Sequence, residues 1–185
     1  MFPETANANK QETTIQHQLD GFSYVLVPAA LYQEELKEKY LDFLGIMKDG
    51  CVVCTDYIET AEAYNVYCAP ENNTSKHPTS VLLENLIKEN KERTDDARIY
   101  LNVKDQHYEM FVLKGTKLLF YNTFRFKTKE DFLYFLLFSI EQLHLEAESV
   151  PVYFLGMIEE DSKLVEFTSR YVRDIRFKKD IKCEL

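Results

Sequence analysis

Cysteine pairs are the first chemically reactive pattern to examine in this 185-residue chain. Cys51 and Cys54 have the spacing of a metal or redox pair. They lie, however, in an apolar run typical of a β-strand, where side chains three residues apart point to opposite faces and cannot easily share one ion. No second pair or nearby histidine completes a site. The four cysteines are therefore predicted to be small core residues rather than a disulfide framework.

Histidines and carboxylates give no catalytic cluster either. The four histidines fall in a predicted tail, loop, turn and helix end: His17, His77, His107 and His144. Asp105 beside His107 is the only acid–base pair that we single out. A two-metal nuclease needs several converging carboxylates, and Asp105, Glu109 and Glu141 have no spacing that brings them together. The sequence also shows no serine or cysteine nucleophile motif and no Gly-rich phosphate loop.

Charge and composition limit the classes of partner. The chain carries 31 acidic and 22 basic side chains, a net charge of −9, which repels phosphate backbones and anionic lipids. Binding to nucleic acid or membrane surfaces is therefore not expected. No stretch approaches the roughly 18 apolar residues that span a bilayer, and residues 1–10 show no basic region followed by an apolar run. These observations predict a cytoplasmic protein.

The first half of the chain predicts an incomplete α/β unit. Residues 1–20 are polar and predict a flexible tail. Residues 21–96 form the first predicted subdomain, with alternation typical of strands and an apolar stripe typical of helices. Its predicted strands span residues 22–27, 51–57 and 63–68, and its predicted helices span residues 31–44 and 79–90.

The second predicted subdomain, residues 97–177, has a sharper pattern, and residues 178–185 form a predicted C-terminal tail. Thr128 and Asp131 have the spacing of a capping box at the start of a helix over residues 129–145, which is apolar on nearly every face and should be buried on more than one side. A long helix between two strands predicts a right-handed crossover with parallel pairing. The predicted strands span residues 99–103, 108–113, 118–124, 150–155 and 172–177, and a second helix spans residues 161–171.

Together these elements predict an α/β fold with a mixed sheet and helices. Three antiparallel strands followed by helix, strand and helix resemble the repeat of the ribonuclease-H-like superfamily, which actin-like ATPases use twice. The segments 102–105, 112–115, 122–126 and 130–134 further resemble an uncharacterised Bacteroidetes family, family 3822 of domains of unknown function, described as having an actin-like ATPase fold. Members usually look longer, and the first half here shows too few strands for a whole repeat, so the second repeat is expected to be complete and the first partial. Either the chain is abbreviated relative to its family, or it is part of a longer protein.

The resemblance implies where a nucleotide would bind. It places the phosphates at the turn between the first two strands of the second repeat and the adenosine after the fourth strand, and the matching residues here are Asn102, Lys104, Asp105 and Gly156. The turn has no glycine, and Asn102 stands where the superfamily typically carries Asp. We therefore expect a degenerate cleft with no cofactor; ATP and Mg²⁺ would bind only if the cleft were functional. Asp105 and Gly156 then serve local turns.

Aromatic residues around the end of the third strand of the second subdomain are the remaining candidate site. Two interpretations stay open for Tyr121, Phe124, Arg125 and Phe126. They pack against core and helix, or they form a partner surface, since aromatics beside arginine are enriched at interface hot spots. The sequence thus predicts a non-catalytic interaction or assembly module, with a protein partner or self-association. The alternative is a nucleotide-binding actin-like ATPase.

Overall fold

The structure is a computed structural model that describes residues 24–45, 47, 50, 52–92 and 96–178. The predictions for residues 1–20 and 179–185, and for Cys51, lie outside these ranges. The described elements, in chain order, are β1 (Tyr24–Pro28), α1 (Lys37–Phe43), β2 (Val52–Ile58), β3 (Ala63–Ala69), α2 (Pro78–Asn90), β4 (Ala97–Val103), β5 (His107–Lys114), β6 (Lys117–Arg125), α3 (Lys129–Gln142), β7 (Val152–Gly156), α4 (Lys163–Thr168) and β8 (Ile175–Phe177).

The second half builds a five-stranded mixed sheet in the order β6-β5-β4-β7-β8. β4, β5 and β6 form an antiparallel meander. β7 then pairs in parallel with β4, as the crossover through α3 predicts, and β8 pairs in parallel with β7. The α/β prediction and the strand–strand–strand–helix–strand–helix order are confirmed for this half.

Alternating side chains give the five-stranded sheet two apolar faces. On one face, residues such as Leu101, Met110 and Phe154 pack against α3 and α4. On the other, residues such as Tyr100 and Phe111 pack against α2 from the first half of the chain. A sheet covered on both faces buries its central strands almost completely, which is why β5 reads as a nearly continuous apolar run.

The predicted cap of α3 is present, but its burial was overestimated. Thr128 Oγ1 accepts from the Asp131 amide at 3.1 Å, and the Asp131 carboxylate accepts from the Thr128 amide at 3.0 Å, so both halves of the capping box form. Helix α3 buries one face on the sheet and leaves Tyr134 62% and Phe138 46% exposed. These two rings stack on each other on the outer face.

The first half forms an antiparallel sheet of three strands within the described residues, in the order β1-β3-β2. It has α1 on one side, where Leu41 and Leu44 are buried. Its other side joins the core made by α2 and the second sheet, to which Leu26 and Ile58 contribute. The described part of this half has a β2–β3 hairpin with β1 on the other side of β3, and no strand between α2 and β4, as expected of a partial repeat.

Several predicted boundaries were too generous, because short turns take up the backbone hydrogen bonds there. The helix predicted from residue 31 begins later, since residues 29–31 form a turn on the Pro28 carbonyl. The amides of Tyr171 and Val172 both donate to the Thr168 carbonyl, so the last strand begins only at residue 175. Helix α4 is likewise confined to Lys163–Thr168, behind the Ser162 cap.

Two general features complete the fold. Cys54 is free, whereas Cys68 is disulfide-bonded, so the prediction that the cysteines are only small core residues is wrong for Cys68. Of the helices in the described ranges, none has the length and apolar character needed to cross a bilayer.

Candidate functional site

A buried carboxylate, Glu109 on β5, lies at the centre of the polar residues between the two sheets. Its side chain has no exposed surface. A charge in such a place must be paired and hydrogen-bonded, because its transfer out of water otherwise costs several kcal/mol. Glu109 also faces α2 and the first sheet, away from α3, so it draws its partners from both halves of the chain.

The donors to Glu109 come from five parts of the fold. Asn102 Nδ2 on β4 lies 2.6 Å from Oε2, and Lys104 Nζ lies 3.1 Å from the same oxygen. Thr79 Oγ1, in the first turn of α2, donates to Oε1 at 2.6 Å. The hydroxyls of Tyr24 on β1 and Tyr121 on β6 complete the set, the latter at 3.5 Å. The carboxylate is thereby saturated with donors.

These contacts keep Glu109 ionised. Burial by itself raises the pKa of Glu109, but the Lys104 ammonium and the hydrogen bonds from Thr79, Tyr24 and Asn102 together outweigh burial and hold it below its ordinary value. Burial, with the nearby Glu109 charge, raises the pKa of Tyr24, so its phenol stays protonated as a donor. We therefore describe the site as a fixed carboxylate with neutral phenols around it.

His77 continues the polar cluster at the start of α2. It caps the helix, because its Nδ1 accepts from the Thr79 amide at 3.2 Å. Its ring packs between those of Tyr24 and Tyr67, with centroids 4.4 and 5.0 Å away. Burial lowers the pKa of His77 to about 4, so the imidazole is neutral at physiological pH. A neutral Nδ1 is what the acceptor role requires.

A pocket of about 1090 Å³ opens beside Glu109. Its walls come from the first turn of α2, the β4–β5 turn, the segment after β7, and residues 177–178. Three of the four predicted nucleotide-site residues, Asn102, Lys104 and Gly156, line it together with Glu109. Asp105 is exposed and is not among the lining residues, so the structure separates it from the other three.

Gly156 serves a close approach within the protein. Its φ is +82°, and a Cβ there would lie 2.3 Å from the Val103 carbonyl oxygen and 2.6 Å from Asn102 Oδ1. Only glycine fits this position, because both the backbone conformation and the space exclude a side chain. The local backbone role that the sequence offered as the simpler interpretation of Gly156 agrees with this geometry.

Backbone amides in the β4–β5 turn and in the turn after β7 are hydrogen-bonded inside the fold. Lys104 N donates to the His107 carbonyl at 2.8 Å, and Met157 N donates to the Val103 carbonyl at 2.7 Å. A phosphate site of the kind found in nucleotide-binding turns needs such amides to point at the ligand. The rim of the pocket adds three further carboxylates, those of Glu159, Glu160 and Asp161.

The carboxylates weighed for a nuclease do not converge. Asp105 is exposed at the β4–β5 turn and Glu141 is exposed on α3, whereas Glu109 is buried on the opposite face of the sheet from α3. Within the described residues no group of three or more His, Cys, Asp or Glu side chains could hold a metal ion.

The predicted partner-surface residues have mixed surroundings. Tyr121 points into the Glu109 site, where its hydroxyl also lies 2.6 Å from that of Tyr24. Phe124 stacks on Phe135 of α3 at 5.0 Å, and Phe126 meets Phe132 edge-on at 5.3 Å. These three rings therefore take part in packing inside the fold, and Arg125 is the exposed member of the set.

Sequence reasoning missed Tyr24 and Thr79 and gave Glu109 no partners. A signal existed for Glu109: it is the single charge within the buried run from Tyr108 to Leu113. A charged residue inside such a strand indicates a paired, hydrogen-bonded group. No comparable signal marks Tyr24 or Thr79, which lie 85 and 30 residues away in sequence.

The strand order and helix placement define a protein with an actin-like ATPase fold, and one solved structure supports this directly. A Bacteroides thetaiotaomicron VPI-5482 protein, described as having an actin-like ATPase fold and unknown function, superimposes with a TM-score of 0.73 at 14% identity. The match covers 84% of this chain and 65% of that chain, so this chain spans about two thirds of its length.

The family model "Protein of unknown function (DUF3822)" matches residues 5–175, and the chain belongs to this family. The resemblance seen in the sequence is thus confirmed. No curated protein matches the chain.

Proposed function

We propose that this chain is a non-catalytic interaction or assembly module that keeps the actin-like fold and whose cleft does not hold nucleotide phosphates. The observation that carries the proposal is the pairing of Lys104 with the buried Glu109 carboxylate at 3.1 Å. Lys104 lies in the β4–β5 turn, where phosphates would bind, and its charge is already balanced within the fold.

A bound triphosphate would disturb this balance in two ways. It would draw Lys104 away from Glu109, whose remaining donors are neutral and would leave the buried charge without a cation. It would also lie near the negative charge of Glu109 and the carboxylates of Glu159, Glu160 and Asp161, which repel phosphate. The internal hydrogen bonds of Lys104 N and Met157 N remove two backbone donors in addition.

Calorimetric titration with Mg-ATP tests the proposal. We expect no binding heat, and no rise in melting temperature with Mg-ATP, because only a ligand of the native state raises it. Inorganic tripolyphosphate at the same ionic strength is the control for nonspecific anion effects. Micromolar binding of Mg-ATP that a Lys104→Met variant loses would overturn the proposal and favour the ATPase alternative.

The alternative function, nucleotide binding, has one observation in its favour. The pocket of about 1090 Å³ lies between the β4–β5 turn and the exit of β7, and both Lys104 and Lys178 line it. Lys178, however, is ion-paired with Glu89. Both of these lysines are therefore engaged by carboxylates of the protein.

We also propose a cytoplasmic location, on the basis of the sequence. The disulfide at Cys68 weighs against it, since stable disulfides are rare in the cytosol of most organisms. Fractionation with an antibody to the chain, together with thiol trapping of Cys68, distinguishes the two cases. A reduced thiol in the cytosolic fraction would support the proposal.

A further inference from the structure

The pocket beside Glu109 lies at the carboxyl ends of three parallel strands. β7 pairs in parallel with β4 and with β8, and the last residues of the three strands, Val103, Gly156 and Phe177, all line the pocket. Crevices outside the carboxyl ends of parallel strands are common ligand sites in α/β sheets. With a volume of about 1090 Å³, the pocket is also as large as the sites that hold drug-sized ligands.

The charged side chains of the pocket favour a cation. Two lysines and four carboxylates line it, and each lysine is already ion-paired with a carboxylate of the protein. Of the lining carboxylates, Glu159 and Asp161 are exposed. Neither forms a salt bridge with another described residue. The pocket therefore carries negative charge that no cation of the described chain balances.

Asn102 adds a hydrogen-bond acceptor to the same wall. Its Nδ2 donates to Glu109 Oε2 at 2.6 Å, and an ionised carboxylate only accepts, so the orientation of the amide is fixed. Its Oδ1 then lies on the side of Gly156, 2.6 Å from the place that a Cβ of Gly156 would occupy. No donor among the described residues hydrogen-bonds to this oxygen. The pocket thus offers an amide oxygen together with the two carboxylates.

The remaining walls suit apolar groups. Large side chains of α2, β7 and the segment after β7 form them: Leu82, Leu155, Met157 and Ile158. Met157 is 75% exposed, and an unbranched, flexible methionine adapts to apolar partners of different shape. Phe177 is half-buried, and its ring stacks on that of Phe154 at 5.7 Å. Since cations bind to aromatic rings, the pocket fits a cation that is attached to apolar groups.

The cation that fits is organic. Within the described ranges no group of three or more His, Cys, Asp or Glu side chains could hold a metal ion. Among organic cations a guanidinium fits better than an ammonium, because its planar fork of donors matches carboxylate oxygens and also stacks on aromatic rings. These properties belong to an arginine side chain.

We propose that the pocket binds an arginine of a protein partner, presented on a segment with apolar residues on both sides of it. The guanidinium donates to Glu159, Asp161 and Asn102 Oδ1, and the flanking apolar side chains pack on Met157 and its apolar neighbours. The net charge of −9 attracts a basic partner from a distance, and the pocket selects the arginine. This inference rests on the interaction role proposed above and specifies what is recognised.

Titration of the full chain with blocked tripeptides, followed by amide chemical shifts in NMR, tests the proposal. The probe is Leu-Arg-Leu, and Leu-Gln-Leu is its neutral control. We expect Leu-Arg-Leu to shift the amides of Lys104, Gly156 and Met157 saturably and to bind at least about tenfold more tightly than Leu-Gln-Leu. Ethylguanidinium has the cation without the apolar residues and should bind at least about tenfold more weakly than Leu-Arg-Leu.

Matched variants locate the binding. Glu159→Gln combined with Asp161→Asn removes two charges from the pocket and should weaken binding of Leu-Arg-Leu at least about tenfold. Glu146→Gln combined with Glu148→Gln changes the net charge equally at exposed positions outside the pocket and should leave binding unchanged. Met157→Lys should weaken Leu-Arg-Leu more than Leu-Gln-Leu, whereas Met157→Leu should bind like the wild type. All five positions are exposed, so the variants should keep the amide spectrum of the folded chain.

Several results would overturn the proposal. Absent binding of Leu-Arg-Leu, or binding equal to that of Leu-Gln-Leu, would show that the pocket does not recognise arginine. Equal binding of ethylguanidinium would indicate a small organic cation rather than a protein segment. Equal losses in the two double variants would assign the effect to the net charge of the chain.

A further outcome concerns the chain itself. Binding that appears only after Lys179 and Lys182 are both replaced by alanine would show that residues 179–185 occupy the pocket, and it would also overturn the proposal. Titration with Mg-ATP is a separate measurement. Failure of the tripeptide would therefore leave the absence of nucleotide binding untouched, and binding of Mg-ATP would count against the role proposed above alone.

Discussion

Lys104 Nζ lies 3.1 Å from Oε2 of Glu109, so a side chain at the rim of the pocket balances the charge of one that has no exposed surface. The lysine itself is 37% exposed. The ion pair therefore joins a partly exposed lysine to a fully buried carboxylate. The stability of the buried charge depends on a residue that a ligand in the pocket would contact.

Glu109→Gln should lower the free energy of unfolding by about 2–4 kcal/mol. The amide keeps the shape of the side chain but turns one acceptor into a donor, among the donors of Tyr24, Thr79 and Asn102. Urea unfolding followed by circular dichroism measures the change. Glu141→Gln, at an exposed position of α3, is the control and should stay within about 0.5 kcal/mol of the wild type. Equal effects of the two substitutions would contradict the prediction.

Lys104→Met should destabilise the protein by about 1–3 kcal/mol, less than a fully buried pair would lose, because the lysine is partly solvated. A double-mutant cycle with Glu109→Gln isolates the interaction between the two side chains. We expect a coupling of at least about 1 kcal/mol. Additive effects in the cycle would show that the contact adds nothing to stability and would remove the main support for the degenerate cleft.

His77 should make stability depend on pH between 6.5 and about 4. Burial lowers the pKa of His77 from 6.5 to about 4, so in this window the unfolded chain binds a proton that the folded chain does not. As the pH is lowered through this window, the free energy of unfolding should then decrease by up to about 1.4 kcal/mol per pH unit. The lowered pKa of Glu109 affects stability only at lower pH. Its contribution to the free energy of unfolding is fully present above the unfolded-state pKa of about 4.5 and is lost as the pH falls below that value.

A substitution that keeps the cap but does not titrate isolates this effect. Asn is a good N-cap residue, so His77→Asn should retain α2 and flatten the pH dependence between 6.5 and 4.5. His144→Asn is the matched control, because His144 is exposed and its φ of +53° is one that Asn tolerates. If both variants keep the slope of the wild type, another group is responsible.

Gly156→Ala should destabilise the protein by more than about 2 kcal/mol, because the methyl group would overlap the Val103 carbonyl and Asn102 Oδ1. Gly45→Ala is the matched control. Its φ of +65° is also left-handed, but a Cβ there meets no atom within 4 Å, so only the backbone strain of about 1 kcal/mol remains. Thermal unfolding of both variants gives the comparison, and equal losses would show that the contact with β4 is unimportant.

Local patterns in the sequence were sufficient for most of the second half of the fold. The glycine turn at residues 114–116, the Thr128 cap and the apolar alternation of β4 depend on neighbouring residues, and the structure has each of them. The burial of α3 was overestimated because composition does not reveal which face meets solvent. Tyr134 and Phe138 are large hydrophobic residues, yet both are exposed to solvent.

The candidate site was predictable only in part, because its contacts are long-range. Asn102, Lys104 and Gly156 could be placed together from the strand order that the family resemblance implied. The pairing of Glu109 with Tyr24 depends on how the first sheet packs on the second, and no local pattern encodes that arrangement. Asp105 was included for its position in the turn, where its side chain points to solvent rather than to the pocket.

The hydrogen bond from Tyr24 to Glu109 also determines how the chain comes apart. Tyr24 belongs to β1 and Glu109 to β5, so separating the sheets would leave an ionised carboxylate without one of its donors. The two halves should therefore unfold as one cooperative unit, with a single calorimetric transition whose van't Hoff and calorimetric enthalpies agree. We expect Tyr24→Phe to reduce this cooperativity more than it reduces the stability of either sheet alone. The amides of the first half would then lose their protection from exchange earlier than those of the second.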